Sequence, residues 1–229
     1  MAEPLEVAVL IDGAFITKHM RRALRRGRHP EARDFAAFAE SCLVPEHERL
    51  LRVFFYDAPP FDRKVHNPIS KERVDFRNRF HDYRTRLLSD LAKLDEFALR
   101  KGYVQLTGWR LTYRAVRDLL RGAKQVPTVD DLEPEFRQKC VDMKIGLDVA
   151  WLSSKRIVDR IILIANDGDF VPAMKHARRE GVRVAIMEWQ GHYKVLPVLR
   201  EHADEVRPLY GDPESLSLDA TAPVASSAL

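Results

Sequence analysis

Two apolar runs in this chain end in acid, and that pattern constrains the fold more than any other. Val7-Ala8-Val9-Leu10-Ile11 leads into Asp12-Gly13, and Ile161-Ile162-Leu163-Ile164-Ala165 leads into Asn166-Asp167-Gly168-Asp169. A short, uninterrupted apolar run bounded by turn residues reads as a fully buried strand. Leu51 to Tyr56 reads as a further strand, broken by Asp57-Ala58-Pro59-Pro60, because two prolines cannot continue a central strand. Tyr103 to Leu106, extended by Trp109 to Tyr113, and Val182 to Met187 complete the strand set. Helices are expected over about Ala14–Arg25, 34–42, Ser70–Lys101, Gln138–Ser154, Phe170–Arg179 and Tyr193–His202. In the longest, Phe80, Tyr83, Leu87, Leu91 and Leu94 recur at helical spacing and form one apolar face, closed by Gly102.

Strands alternating with helices argue for an α/β fold with a mostly parallel central sheet of about five strands, covered on both faces. Residues 1–210 are expected to form one domain, with a polar insertion near 114–137 that carries Pro127 and Pro134. From Gly211 the chain turns to Ser, Ala and Pro, so 211–229 is expected to be a disordered tail. No apolar run approaches the roughly 18 residues of a membrane span. Met1 to Glu6 lacks the basic and apolar regions of a secretory leader. Cys42 and Cys140, the only cysteines, make neither a disulfide framework nor a zinc site, so a cytoplasmic protein without a membrane partner is expected.

Net charge is only +4, but its distribution is uneven. Lys18, Arg21, Arg22, Arg25, Arg26 and Arg28 crowd one segment; Lys71, Arg73, Arg77, Arg79, Arg84 and Arg86 crowd another, interleaved with Phe76, Phe80 and Tyr83. Taken alone, each cluster is equally well a solvated helix face. Beside a set of acidic metal ligands they become a means of holding a polyanion, with Arg21, Arg22, Arg25, Arg26, Arg73 and Arg77 as the candidate nucleic-acid contacts. Phe76 and Tyr83 read first as core and only second as base-stacking residues.

The acidic set is Asp12, Asp148, Asp167 and Asp169. In parallel sheets ligands bind at the carboxyl ends of the strands, so Asp12 and Asp167 should face one edge. Carboxylates so placed are costly unless neutralised, and a divalent cation is the simplest partner. Asp148 falls among Val141, Ile145 and Leu152 on a helix that is apolar on other sides as well (Met143, Leu147, Trp151), which suggests a central helix projecting a ligand. The alternative is an ion pair with Lys144, four residues earlier. Two aspartates around Gly168 exceed what one helix cap needs. Asp57, Asp142, Lys144 and Asn166 are second-tier: Asp57 as a turn cap, Asp142 as a cap or hydrogen-bonding neighbour, Lys144 as a group that orients a phosphate oxygen or a metal-bound water or else forms a salt bridge, Asn166 as an added hydrogen bond. No phosphate loop or nucleophile elbow is present. A phosphohydrolase of the haloacid-dehalogenase type needs a second acid two positions after Asp12, where Ala14 stands.

Taken in order, Val9-Leu10-Ile11-Asp12-Gly13, Phe55-Tyr56-Asp57-Ala58-Pro59-Pro60, Gln138-Lys139-Cys140-Val141-Asp142 through Leu147-Asp148, and Asp167-Gly168-Asp169-Phe170-Val171-Pro172 resemble the NYN domain family, a branch of the PIN-like metal-dependent ribonucleases. The resemblance implies a Rossmann-like (PIN-like) three-layer sandwich with the acids at its carboxyl edge. It also implies hydrolysis of RNA phosphodiesters with Mg²⁺ or Mn²⁺, DNA remaining an alternative substrate, and it extends to relatives that form homodimers. By position it makes Asp12, Asp148, Asp167 and Asp169 both catalytic and metal-binding. One departure is Phe15, where many relatives carry Asn; it removes a polar group and motivates the alternative of a catalytically weak or inactive module that binds nucleic acid or a partner.

Overall fold

The structure, a computed structural model, describes residues 3–24, 28–77 and 79–210. In chain order the elements are β1 (Leu5–Asp12), α1 (Gly13–Ala23), α2 (Ala32–Ser41), β2 (Glu48–Asp57), β3 (Lys64–His66), β4 (Arg73–Asp75), α3 (Arg79–Leu91) and β5 (Phe97–Lys101). They continue with β6 (Tyr103–Leu111), α4 (Tyr113–Leu120), β7 (Leu132–Lys139), α5 (Val141–Ser154), β8 (Arg160–Ile164), α6 (Val171–Arg179), β9 (Arg183–Trp189), α7 (Pro197–His202) and β10 (Glu205–Leu209). The chain divides into two compact units: Met1–Asp57, Leu87–Arg100 and Val141–Leu229 form the first, and Ala58–Arg86 with Lys101–Cys140 the second. The proposed tail 211–229 lies outside the described residues, as do Arg25 and Arg26.

The first unit is an α/β sandwich on a six-stranded sheet, ordered β10-β9-β8-β1-β2-β5. Its pairings from β10 through β2 are all parallel, with Val9 opposite Val53 on one side and Ile162 on the other. Val7 to Ile11 are fully buried, as a strand with helices on both faces requires. Ala8 and Leu10 pack with Ile161, Leu163, Val184 and Ile186 against Ile145, Val149 and Leu152 of α5 and Met174 and Ala177 of α6. Side chains alternate along a strand, and α1 and α2 supply further buried groups: Ile16, Met20, Phe35 and Phe38, with Phe35 on Phe55 and Phe38 on Trp189 at ring separations of 5.0 and 5.1 Å. The strand expected from Tyr103 is β6, which pairs with β7 in a separate sheet, and two of the six strands are not among those expected: β5 falls within the expected helix over Ser70–Lys101, and β10 gives no sequence signal because Arg207 and Pro208 interrupt it. Proline is tolerated there because β10 pairs on one side only.

A charged network closes the amino ends of these strands. Glu48 at the start of β2, its side chain 1% exposed, accepts hydrogen bonds from Arg207 at 2.7 and 2.8 Å and from the Val44 N–H, and pairs with Arg160. Burial alone would raise the Glu48 pKa; the Arg207 hydrogen bonds, the Val44 N–H and Arg160 overcome it and hold it at about 2.

The second unit consists of two antiparallel pairs, β3–β4 and β6–β7, with α4 between the strands of the latter. Phe61, Phe76, Trp109 and Phe136 form its aromatic cluster, in which Phe76 is half-buried and Phe136 exposed. The helix expected over Ser70–Lys101 is therefore corrected on both sides. Arg73–Asp75 is a strand, α3 ends at Leu91, and Phe97–Lys101 joins the main sheet beside β2. The segment 114–137, expected as a polar insertion, contains most of α4 and most of β7. Among the described residues no helix is long and apolar enough to cross a membrane.

Candidate functional site

Four segments of the first unit bring carboxylates into electrostatic contact. β1 delivers Asp12, which caps α1: its Oδ1 accepts the Phe15 N–H at 3.1 Å. Gly13 is required beside it, because a Cβ there would stand 2.5 Å from Cε1 of Phe55 and 2.7 Å from the carbonyl oxygen of Tyr56. Burial pushes the Asp12 pKa up to about 6; Asp142 and Asp57 push the same way, against the N–H groups of Phe15 and Ala14. Asp142 lies in the first turn of α5, where a helix dipole favours negative charge. Its pKa is nevertheless raised, by desolvation first and then by Asp167 and Asp169.

The loop after β8 supplies those last two. Asp167 Oδ1 accepts the Asp169 N–H at 2.9 Å and so caps the short 3-10 turn Gly168–Phe170 that opens α6. Asp57, at the end of β2, is buried and acts on Asp12. Among the described residues no lysine or arginine forms an ion pair with Asp12, Asp142, Asp167 or Asp169. Also among the described residues, no three His, Cys, Asp or Glu side chains already stand close enough to hold a metal ion. The arrangement is an uncompensated acidic cluster, open where no countercharge draws it together. Its donors are carboxylates alone, the ligand type that Mg²⁺ and Mn²⁺ accept, so the residues present fit such an ion chemically.

Asp148 does not join the group. Its Oδ2 accepts the Tyr56 hydroxyl at 2.8 Å and the Arg100 Nε–H at 2.9 Å, and it is not among the groups that raise the pKa of Asp12 or Asp142. Six residues along α5 turn it about 120° from Asp142, so the helix presents one acid to the cluster and turns the other toward β2 and β5. Lys144 is not its partner and, among the described residues, forms no ion pair. Arg100 is held at the same time over the Phe54 ring, 5.0 Å from its centroid.

Asn166 is likewise engaged elsewhere. Its amide donates to the Lys194 carbonyl at 3.0 Å and accepts the Leu196 N–H at 2.9 Å, fastening the segment before α7. Phe15 gives the site its backbone N–H only; its ring packs on His19 and Tyr193, each at 4.7 Å. Arg21 and Arg22 are exposed in the last turn of α1, roughly 14 Å along the helix from Asp12 at 1.5 Å per residue. Arg28, from the same basic segment, is matched by Asp34 at 2.7 and 2.8 Å. In the second unit Arg77 makes a two-pronged pair with Asp75, at 3.1 and 2.7 Å, while Arg73 is exposed on β4.

With this geometry in place, the comparison with protein families becomes informative: the NYN domain matches residues 6–209, nearly the whole described chain. The chain belongs to the NYN domain family. NYN domains have a PIN-like, nuclease-type fold, and the parallel sheet with acids at its carboxyl ends is that fold here. No curated protein matches the chain. Among solved structures it is similar to a Vibrio parahaemolyticus protein of unknown function, at 14% identity and a TM-score of 0.48, over 91% of this chain and 96% of that one. Family membership carries the general nuclease class, a typical use of divalent metals and a nucleic-acid substrate class.

Two residues of this NYN domain have no site role in the sequence reading: Tyr56, by a hydrogen bond, and Arg100, by an ion pair, hold Asp148 from strands remote in sequence, and each sits near the carboxyl end of its strand. Asp142 is legible only as a second-tier acid, because a helix-capping role accounts for it equally well.

Proposed function

We propose that this NYN domain is a metal-dependent ribonuclease whose Mg²⁺ or Mn²⁺ is held by Asp12, Asp142, Asp167 and Asp169, with Asp57 behind Asp12. The observation that carries the reading is that acids from three segments crowd one another, Asp142 acting on Asp12 and Asp167 and Asp169 on Asp142, without a cationic partner for these four acids among the described residues. Structural carboxylates are ordinarily paired or hydrogen-bonded; a cluster that stays repulsive is the electrostatic signature of a cation site. Asp142 takes the role that the family resemblance assigned to Asp148.

A bound divalent ion supplies Lewis acidity toward a phosphate oxygen and a water of lowered pKa. The chain's own residues do the rest. The Phe15 N–H fixes the Asp12 carboxylate, and the Asp169 N–H fixes that of Asp167, so two of the four acids are oriented before any ligand arrives. Asp142 bridges them electrostatically from the start of α5. Lys144, without an ion pair among the described residues, is available for a phosphate oxygen. No side-chain nucleophile is required.

The test is cleavage of a labelled single-stranded RNA by purified protein with Mn²⁺ or Mg²⁺, beside EDTA and the Asp142→Asn and Asp167→Asn variants. Cleavage that needs the metal and disappears in both variants supports the assignment; cleavage that persists in both overturns it. The second reading, a binding module without turnover, draws on the absence, among the described residues, of three acids at ion-holding distance. It predicts RNA binding that is indifferent to both substitutions and no cleavage under any metal.

A further inference from the structure

The acids account for chemistry but not for how a strand is held: of the candidate contacts in the first unit, Arg21 and Arg22 lie roughly 14 Å along α1 from Asp12, and Arg25 and Arg26 fall outside the described residues. A different basic surface begins beside the site. A groove of about 750 Å³ runs along α6, lined by Val171 and Pro172 in its first turn, then Lys175, Arg178 and Arg179, and finally by Arg183, His202 and Asp204. Its upper end starts two residues after Asp169, at the opening of α6, and its lower end reaches the first residue of β9.

We propose that this groove is the track for the single-stranded nucleic-acid backbone leading away from the acidic site. The inference rests on the nucleic-acid reading of the NYN domain but not on turnover. Lys175, Arg179 and Arg183 are exposed and, among the described residues, form no ion pair. Arg178 is the fixed element: its Nε is held by Asp204 Oδ1 at 2.8 Å, and Asp204 Oδ2 in turn accepts the Val184 N–H at 2.8 Å. One wall is therefore rigid and neutralised, while three cations point at whatever fills the groove. Lys175 and Arg179 are four residues apart on one face, a rise of about 6 Å, which suits successive phosphates of an extended strand. The lining contains no Phe, Tyr or Trp to stack a base and no carboxamide to read one. It holds a backbone, independently of sequence, and extends the substrate beyond the scissile phosphate.

The experiment is fluorescence anisotropy of a labelled single-stranded RNA of about 12 nucleotides, in EDTA so that no cleavage occurs, across a salt series. The combined Lys175→Ala, Arg179→Ala and Arg183→Ala variant should bind roughly 100-fold more weakly near 0.1 M salt, and its log–log salt slope should be shallower by about 2, from about 0.7 counterions released per phosphate on a single strand. A charge-matched control, Arg52→Ala with Lys93→Ala and Lys155→Ala, should change neither. Two RNAs of different sequence should bind alike. The inference is overturned if the triple variant keeps wild-type affinity and slope, if the control weakens binding equally, or if anionic vesicles or an acidic peptide displace the RNA at lower charge concentration than RNA itself does. Because cleavage is not read, failure of the ribonuclease assignment leaves this result intact, and loss of this result leaves that assignment standing.

Discussion

Replacing Asp12 with Asn should stabilise the metal-free protein, although Asp12 stands at the centre of the proposed site. Its carboxyl pKa rises from 3.8 to about 6, chiefly through burial and then through Asp142 and Asp57. A rise of about two units corresponds to about 3 kcal/mol of differential stability at 1.36 kcal/mol per unit. The folded protein keeps this proton to higher pH than the unfolded chain does. The stabilising contribution is therefore complete below 3.8 and lost as pH rises through about 6. At about pH 7 the wild type carries the full cost of an ionised, poorly solvated acid, whereas Asn carries none and keeps an oxygen for the Phe15 N–H, so the cap survives. The Asp12→Asn protein should then be more stable by about 2–3 kcal/mol near neutrality and equal to wild type below about pH 4. Urea denaturation in EDTA across that pH range measures it. Adding Mn²⁺ should raise the wild-type midpoint and leave the variant's unchanged, because only a native-state ligand shifts the equilibrium. A variant that is less stable than wild type at neutral pH, or a difference that does not grow between pH about 4 and 7, refutes the electrostatic account of the cluster.

The two acids of α5 should separate by phenotype: Asp142→Asn removes Mn²⁺-dependent stabilisation in thermal melts, whereas Asp148→Asn retains it and loses about 1–3 kcal/mol of stability from its weakened bonds to Tyr56 and Arg100. Glu48→Gln should cost about 1–3 kcal/mol, because Arg207 and Arg160 lose their buried carboxylate and keep only the more exposed Glu205, read as a lower urea midpoint. Since its pKa is held at about 2, the Glu48 contribution is complete above its ordinary 4.5 and lost as pH falls through about 2. Gly13→Ala should destabilise by about 1–3 kcal/mol, because the methyl meets the Phe55 ring and a backbone oxygen rather than a mobile side chain; an unchanged melting temperature would contradict the close approach at this turn.

The parts of the fold visible in the sequence are those set by local pattern. The runs 7–11 and 161–165 are uniformly apolar because both faces of their strands are covered, and their terminal acids mark the carboxyl edge without any knowledge of pairing. Gly181 is readable as the end of α6, where it takes φ +86° and lets the Val182 N–H reach the Ala177 carbonyl at 3.0 Å. What is illegible depends on distant partners. Phe80 to Leu94 carry a helical stripe, yet the basic, Phe-containing stretch before them pairs as β4 and the stretch after them joins β2, because sheet neighbours outweigh propensity. β10 carries Arg207 in its interior, acceptable because Glu48 from β2 and Glu205 two residues before it both pair with it. Asp148 reads as a ligand because burial of a charge demands a partner, and the sequence offers Lys144 nearby while the true partner, Arg100, arrives from β5. The same α5 is expected to be central; instead Met143, Leu147 and Trp151 are 65, 61 and 51% exposed, so apolar character on several sides of a helix does not mean burial on all of them.

The Glu48–Arg160–Arg207 lock and the aspartate cluster occupy opposite rims of one sheet. Integrity and chemistry are thereby uncoupled along the strand axis: one rim fastens the scaffold while the other, left repulsive, is free to vary. A lineage carrying this architecture can surrender an acid and become sturdier for it, so inert descendants should arise readily and persist as well-folded proteins.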